Sequence, residues 1–285
     1  MKIKLASKYG FCQGVKNALN AALFEISHNN DKIYLLNKIV HNKTVNDSLA
    51  AKGLIIFDDN RTDIQKIDDI NEGTIIFSAH GHDKKLESLA LKKGLKIIDA
   101  TCPLVNLNER KIIESLNKGR TVFYIGIQKH PETNAVLSID QRIIFIDFKN
   151  PSIPHLSPNT PISIHNQTTL IVNDLKAIYD EIKKEYTDVI FNNDICNATS
   201  QRQNALNEVS DEDLIIIIGD KISSNSNRLY EIAKKNNPDK AVLFVLDLND
   251  LKQYNLSNYN SAFISAGAST PESDINPIIE YLKSI

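Results

Sequence analysis

Leu214-Ile215-Ile216-Ile217-Ile218-Gly219, followed shortly by Ser223-Ser224-Asn225-Ser226-Asn227-Arg228, carries the reading of the fold. Five consecutive large apolar residues offer no face to water, so the first stretch reads as a strand covered on both sides. Ser and Asn readily accept hydrogen bonds from the exposed N–H groups of a first helical turn, so the second stretch opens a helix. The same unit of strand, polar turn and helix recurs in both directions. Apolar runs stand at Ile33-Tyr34-Leu35-Leu36, Thr74-Ile75-Ile76-Phe77, Lys96-Ile97-Ile98, Thr121-Val122-Phe123-Tyr124-Ile125, Asp188-Val189-Ile190-Phe191 and Ala262-Phe263-Ile264. Helical spacing follows several of them, as in Val45 to Lys52, which ends at Gly53. Alternation of this kind predicts an α/β protein with mostly parallel sheets. The Pro-rich stretch from Asn150 to Pro158 reads as a loop within the middle of the chain.

Composition narrows the class. With 285 residues, 42% of them hydrophobic, the chain can bury a large core without covalent staples, and its length suits two or three ordinary domains. Three widely spaced cysteines, an odd number, exclude a disulfide framework and point to a reducing compartment. The start lacks a signal-peptide apolar run and no stretch reaches about 18 apolar residues, so a cytoplasmic protein with no membrane partner is expected. Lys and Arg total 33 against 35 Asp and Glu, with no basic tail, which argues against a nucleic-acid partner. An anionic small molecule would have to be met by a local site. Neither a Gly-x-Gly-x-x-Gly turn nor a Walker A motif occurs, so nucleotide cofactors are not supported.

Cys12, Cys102 and Cys196 are about 90 and about 94 residues apart, each after an apolar run and before a helical pattern. This suggests three similar α/β lobes: a first over 13–99, a second over 100–194, and a third over 195–285 completed by residues 1–12. Packed about a threefold-like axis, three strand ends would bring the cysteines together.

In α/β sheets ligands bind beyond the carboxyl ends of strands, so the polar residues just after each apolar run are the candidates. They are Cys12, His41, His80, Cys102, His130 with Glu132, Thr168, Cys196, the run from Ser223 to Asn227, and Ser269. Three thiolates can hold three irons of a cubane cluster and leave the fourth open, and helix starts beside them favour the thiolate form. A lone cysteine is more often a small buried apolar residue, and a tri-thiolate zinc site remains an alternative. His41, His80 and His130 stand at strand-to-helix turns, where imidazole and backbone donors can receive phosphate oxygens; singly, a histidine more often caps or packs. His28, His82, His155 and His165 are assigned to that packing class. The Ser223 run is an anion site or simply a well-capped helix start. At Ser269-Thr270-Pro271, Thr270 is expected as a helix cap and Pro271 as the first helical residue. Glu132, after Pro131, either relays protons if burial raises its pKa or complements a helix dipole.

Nine segments, in order, resemble the motifs of the 4-hydroxy-3-methylbut-2-enyl diphosphate reductase family. They are Gly10-Phe11-Cys12-Gln13-Gly14-Val15, Val40-His41-Asn42, Phe77-Ser78-Ala79-His80-Gly81, Ala100-Thr101-Cys102-Pro103-Leu104-Val105, His130-Pro131-Glu132, Asn166-Gln167-Thr168-Thr169, Asp194-Ile195-Cys196-Asn197-Ala198-Thr199, Ser223-Ser224-Asn225-Ser226-Asn227-Arg228 and Ala266-Gly267-Ala268-Ser269. The resemblance implies a trefoil of three α/β lobes around a 4Fe-4S cluster, and the last step of the non-mevalonate isoprenoid pathway. It implies Cys12, Cys102 and Cys196 as iron ligands; His41, His80, His130, Ser223, Ser224, Asn225 and Ser269 around an allylic diphosphate; Glu132, helped by Thr168, as proton donor; and a ferredoxin or flavodoxin as electron donor. Two departures are noted: Thr133-Asn134-Ala135-Val136-Leu137 replaces a Gly-containing turn after Glu132, and His82 stands where an apolar residue is common. From another class, the alternative is a non-catalytic metal-binding protein with a structural zinc or sensing cluster.

Overall fold

The computed structural model describes the backbone of residues 1–285 and every side chain except those of residues 172 and 173. The chain opens with β1 (Lys2–Leu5) and α1 (Gln13–His28). A first alternating run comprises β2 (Ile33–Leu35), α2 (Lys43–Ala51), β3 (Leu54–Ile56), α3 (Asp63–Asp68), β4 (Thr74–Phe77), α4 (Lys84–Lys92) and β5 (Lys96–Asp99). A second comprises α5 (Pro103–Asn117), β6 (Thr121–Gly126), α6 (Pro131–Leu137), β7 (Ile143–Asp147), β8 (Ile162–Asn166), α7 (Val172–Glu185) and β9 (Val189–Phe191). The third comprises α8 (Asn197–Ala205), β10 (Leu214–Ile218), α9 (Ser224–Asn236), β11 (Ala241–Val245), α10 (Leu248–Leu251), β12 (Ser261–Ala266) and α11 (Glu272–Ser284).

Among the described residues the strands form three four-stranded sheets, ordered β3-β2-β4-β5, β7-β6-β8-β9 and β11-β10-β12-β1, and every pairing is parallel. The three orders are one topology: strands ranked along each run lie as second, first, third, fourth. In the last sheet the fourth strand is β1, taken from the other end of the chain, with Lys2 opposite Ser261 and Leu5 opposite Ile264. The α/β class with parallel sheets expected from the sequence is therefore present, as three sheets of one topology.

By packing, the chain divides into two compact units. One comprises residues 1–16, 40–48 and 197–285 and carries the β1-containing sheet; the other comprises 17–39 and 49–196 and carries the other two sheets. In the first unit β10 is covered on both faces, as its composition demands. Leu214, Ile216 and Ile218 join Ile275, Ile278 and Leu282 of α11, while Ile215 and Ile217 join Leu229 and Ala233 of α9. Each such buried chain contributes about 2 kcal/mol of transfer free energy, which anchors the turn after β10 from both sides. In the second unit Ile75 and Phe77 of β4 pack on Leu86 and Ala90 of α4, and Val122 and Tyr124 of β6 pack on Ile112 and Leu116 of α5.

Besides β1, four strands, β3, β7, β8 and β11, are absent from the apolar runs picked out in the sequence. Three of them are sheet edges, short or only partly buried, so their patterns carry less contrast. The fourth, β8, is buried at all five positions yet reads Ile-Ser-Ile-His-Asn, because its polar side chains are paired within the protein. Among the described residues, no helix is long and apolar enough to cross a membrane.

Candidate active site

In each sheet the strand order reverses between the first and third strands of its run, and α/β proteins bind ligands at the carboxyl ends beside such a reversal. The chain that leaves the first strand carries His41 after β2, His130 and Glu132 after β6, and Ser223 to Asn225 after β10. The chain that leaves the third strand carries His80 after β4, Thr168 after β8, and Ser269 after β12. A cysteine follows each fourth strand: Cys102 after β5, Cys196 after β9, Cys12 after β1.

One backbone bond repeats with that topology. The N–H of Cys12 donates to Ala268 O at 3.1 Å, that of Cys102 to Ala79 O at 3.0 Å, and that of Cys196 to Thr168 O at 3.0 Å. Each cysteine is thus tied to the turn after the third strand of its own sheet. Each also directly precedes a helix, α1, α5 or α8. None forms a disulfide, all three are half-buried, and Val15 N–H donates toward Cys12 Sγ at 3.5 Å. Three thiols at helix starts, with backbone N–H groups able to bond sulfur, match the donor chemistry of an iron-sulfur cluster, which is held by thiolates and tuned by hydrogen bonds to sulfur.

In the first unit Ser223 is the N-cap of α9, and its hydroxyl accepts from Ser226 N–H. The Ser269 hydroxyl donates to His41 O at 3.1 Å and lies 3.3 Å from Ser223 Oγ, so the turns after β2, β10 and β12 are joined here. Asn225 Oδ1 accepts from Ala268 N–H at 2.9 Å, whereas Asn225 Nδ2 is buried with no hydrogen-bond partner among the described residues. A buried donor left unpaired at the start of a 13-residue helix, where the dipole favours negative charge, suits an anion. Ser224 is buried in the first turn of the same helix. Gly267 permits the close packing: a Cβ there would fall 2.0 Å from Ser226 Oγ. The cap expected at Thr270 is not found. Pro271 is the N-cap of α11, and the Thr270 hydroxyl instead donates to Ile218 O at 3.1 Å, satisfying a carbonyl at the end of β10.

In the second unit His130 is the N-cap of α6, with Pro131 in its first turn, and Nδ1 accepts from Glu132 N–H at 3.2 Å. That bond places the ring proton on Nε2. His80 meets His130 edge to face, with centroids 5.6 Å apart. Glu132 is 2% exposed. Thr168 grips both carboxyl oxygens, its N–H donating to Oε1 at 2.8 Å and its hydroxyl 2.9 Å from Oε2. Burial dominates those bonds and raises the pKa of Glu132 to about 7, with the charges of Asp194 and Glu109 adding to the rise. An acid tuned to neutral pH on a turn after a central strand is suited to proton transfer.

His28 and His155 are outside these clusters, at exposed positions. His82 neither faces solvent nor joins the imidazole pair: it stacks on Phe77 at 3.8 Å and bonds Glu87 Oε1 at 2.8 Å, and burial, then the Lys84 charge, hold its pKa below the ordinary value. His165 is fully buried and bonds Asp194 at 2.9 Å. Residues not singled out from the sequence also build the site. Arg202 donates from Nε and Nη2 to Gly10 O, fixing the approach to Cys12. Asn42 caps α2 beside His41 through Val45 N–H. Asp194, bonded to Lys111 of α5 and His165 of β8, ties the loop of Cys196 to the helix that starts at Cys102. Asp194 lies within a quoted motif, but Arg202 follows its cysteine by six residues in a polar helix and had no signal.

The LytB protein family matches residues 3–283. The chain is 35% identical over 295 residues to the 4-hydroxy-3-methylbut-2-enyl diphosphate reductase of Malacoplasma penetrans strain HF-2, covering 99% of this chain and 97% of that protein. It is also 35% identical over 295 residues to the enzyme of that name from Bacillus subtilis strain 168, covering 99% and 91%. Its fold superposes on the E-1-hydroxy-2-methyl-but-2-enyl-4-diphosphate reductase of Plasmodium falciparum with a TM-score of 0.88 at 28% identity, covering 99% of this chain and 88% of that one. A second solved structure, described as (E)-4-hydroxy-3-methyl-but-2-enyl diphosphate reductase, the terminal enzyme of the non-mevalonate pathway, gives 0.71 at 30% identity, covering 100% and 99%. On matches that run almost end to end, the chain belongs to the LytB protein family.

Proposed function

We propose that the chain reduces 4-hydroxy-3-methylbut-2-enyl diphosphate, with two electrons and two protons, to isopentenyl and dimethylallyl diphosphates plus water. The observation that carries this reading beyond family membership is Glu132, a buried carboxyl held at both oxygens by Thr168 with its pKa near 7. A proton must reach the hydroxyl as it leaves, and a carboxyl of this pKa can give one at neutral pH. Thr168 orients the acid, and its hydroxyl oxygen can accept from the carboxyl O–H when Glu132 is protonated. Ser223, Asn225 and Ser269, with Ser224 beside them, and His41, His80 and His130 would receive the diphosphate. His130 offers Nε2–H to a phosphate oxygen because its Nδ1 is already engaged. Anchoring the charged end fixes where the hydroxyl lies, so remote binding energy orients the bond to be broken.

Cys12, Cys102 and Cys196 would ligate the cluster. When bound, a 4Fe-4S group supplies electrons and a Lewis-acidic iron at its site without a cysteine. A ferredoxin or flavodoxin is the proposed electron source. The test is anaerobic purification with metal analysis, followed by assay of the diphosphate with a reduced one-electron donor. Brown protein with about four irons per chain and alcohol-dependent consumption of reductant is expected. Colourless protein with stoichiometric zinc and no turnover overturns the reading.

A further inference from the structure

Glu132 holds one proton, yet each turnover of the proposed reaction consumes two, and at 2% exposure it cannot take them directly from bulk water. We propose that Glu109 is the carboxyl that reloads Glu132, passing protons inward from a rim formed by Lys84, Glu87 and Asp99. The proposal rests on the assignment of Glu132 as proton donor.

Glu109 is 7% exposed on α5, and its Oε1 is buried with no hydrogen-bond partner among the described residues. On the same face of the helix, Val105, four residues before, and Ile112, three residues after, are apolar core residues. A leucine at position 109 would continue that face at no polar cost, whereas a buried carboxyl oxygen without a partner is destabilising even when the group is neutral. The fold therefore bears an expense there that packing does not explain.

The position supplies the explanation. Gly81, at φ +86°, lacks a Cβ at a point that Glu109 Oε1 approaches to 3.1 Å, Val105 to 3.2 Å and the Ala135 methyl to 3.3 Å. Ala135 lies one turn beyond Glu132 on α6, so the Glu109 carboxyl and the helix of the proton donor press on the same spot of the His80-Gly81 turn. On the outward side, His82 is the next residue along that turn. His82 bonds Glu87, while Lys84 Nζ lies 2.9 Å from Glu87 and 3.7 Å from Asp99, both about one-third exposed at 33% and 34%. Burial is the largest influence on Glu109 and raises its pKa; of the charged groups acting on it, Lys84 lowers the pKa, and Asp99 and Glu87 raise it. On the inner side Glu109 and Asp194 raise the pKa of Glu132. Glu109 is thus electrostatically coupled to the wet rim and to the buried donor at once.

The step conserves charge and atoms. The O–H bond of Glu109 breaks, its proton moves to the Glu132 carboxylate directly or over one water, and the Glu109 carboxylate recovers a proton from water at the rim. Glu109→Gln keeps the shape of the protonated acid and removes the transferable proton, so folding should survive. In the cluster-loaded enzyme the first turnover, measured by rapid quench, is expected to be slowed as well, because its second proton must already pass through position 109. Steady-state kcat should fall by about tenfold or more above pH 7 with KM unchanged, and Glu109→Asp should restore part of it. Infrared titration of the same protein should show the Glu132 carboxyl band lost at lower pH than in wild type, because a neighbouring negative charge is gone. A Glu109→Gln enzyme that cycles as fast as an active wild type, or an unmoved Glu132 titration, overturns the relay alone. A cluster-loaded wild type that does not reduce the diphosphate overturns the functional reading instead.

Discussion

Glu132→Gln should make the protein more stable at alkaline pH while nearly abolishing turnover, and both effects follow from one number. The pKa of Glu132 stands at about 7 in the fold against 4.5 when exposed. One pKa unit corresponds to about 1.4 kcal/mol, so ionising this buried group costs the folded state roughly 3 kcal/mol. The direction follows from proton linkage. Between pH 4.5 and 7 the native state keeps a proton that the unfolded chain has released, so stability falls as pH rises through that window. The loss is complete above pH 7 and absent below 4.5. Gln cannot ionise, and its amide can accept from Thr168 N–H while donating to the Thr168 hydroxyl, so about 1 kcal/mol or less should be lost in hydrogen bonding. Urea unfolding of wild type and variant at pH 5 and pH 8 checks this: their difference should move by roughly 3 kcal/mol in favour of Gln. On cluster-loaded protein, turnover should drop on the order of a hundredfold with KM nearly unchanged, and the fall in wild-type activity above about pH 7 should vanish. Parallel stability curves together with near-normal turnover would refute both the buried-acid account and its role as donor. A Glu that merely complements the dipole of α6 predicts that outcome, with a change of about 1 kcal/mol or less.

The other sites yield sharper local tests. Cys102→Ser, and likewise Cys12→Ser and Cys196→Ser, should leave a soluble chain that retains little iron after desalting, because a hydroxyl is a poor ligand for a soft cluster. Arg202→Met should keep the fold but shorten the half-life of bound iron in air, since the Gly10 carbonyl that steadies Cys12 loses both of its guanidinium donors; absorbance at the cluster band reports it. Gly267→Ala should destabilise by roughly 1–3 kcal/mol and weaken diphosphate binding measured by calorimetry, because the new methyl collides with Ser226 at the start of α9. Asp194→Ala should cost roughly 3 kcal/mol or more in denaturant unfolding, leaving His165 buried without its carboxylate and Lys111 unpaired.

What the sequence made readable depended on how cheaply each element could hide its polarity. The run at β10 announces itself because nothing polar interrupts it, and the cap at Ser223 because Ser and Asn have few other reasons to cluster before a helix. Strand β8 stayed hidden because Ser163 and His165 are buried only by virtue of Ser115 and Asp194, partners distant in sequence. The same non-locality concealed Arg202, whose role exists only once Gly10 has come back beside it. Thr270 misled in the opposite sense: its local pattern suits a cap, yet a carbonyl at the end of β10 claims its hydroxyl. Glu132 could be placed near a helix start from Pro131, but the size of its pKa shift depends on burial, which spacing does not convey. Glu109 gave no local sign at all.

Strand β1 pairs with β12 across almost the entire chain, and this has a consequence for biogenesis. A nascent chain leaving the ribosome presents Cys12 early, but the carbonyl that holds the Cys12 backbone, Ala268 O, is among the last to emerge. Until then β1 has no neighbour in its sheet, while the sheets built from β2–β5 and β6–β9 can already form from contiguous sequence. Contacts between such distant residues are slow to form. Maturation should therefore run in a fixed order, with Cys102 and Cys196 seated on their sheets first and Cys12 only once Ala268 has emerged. A circular permutant that begins in α1 and carries β1 and Cys12 after α11 makes the β1–β12 pairing local in sequence, and this sheet should then form faster on refolding than in the natural order.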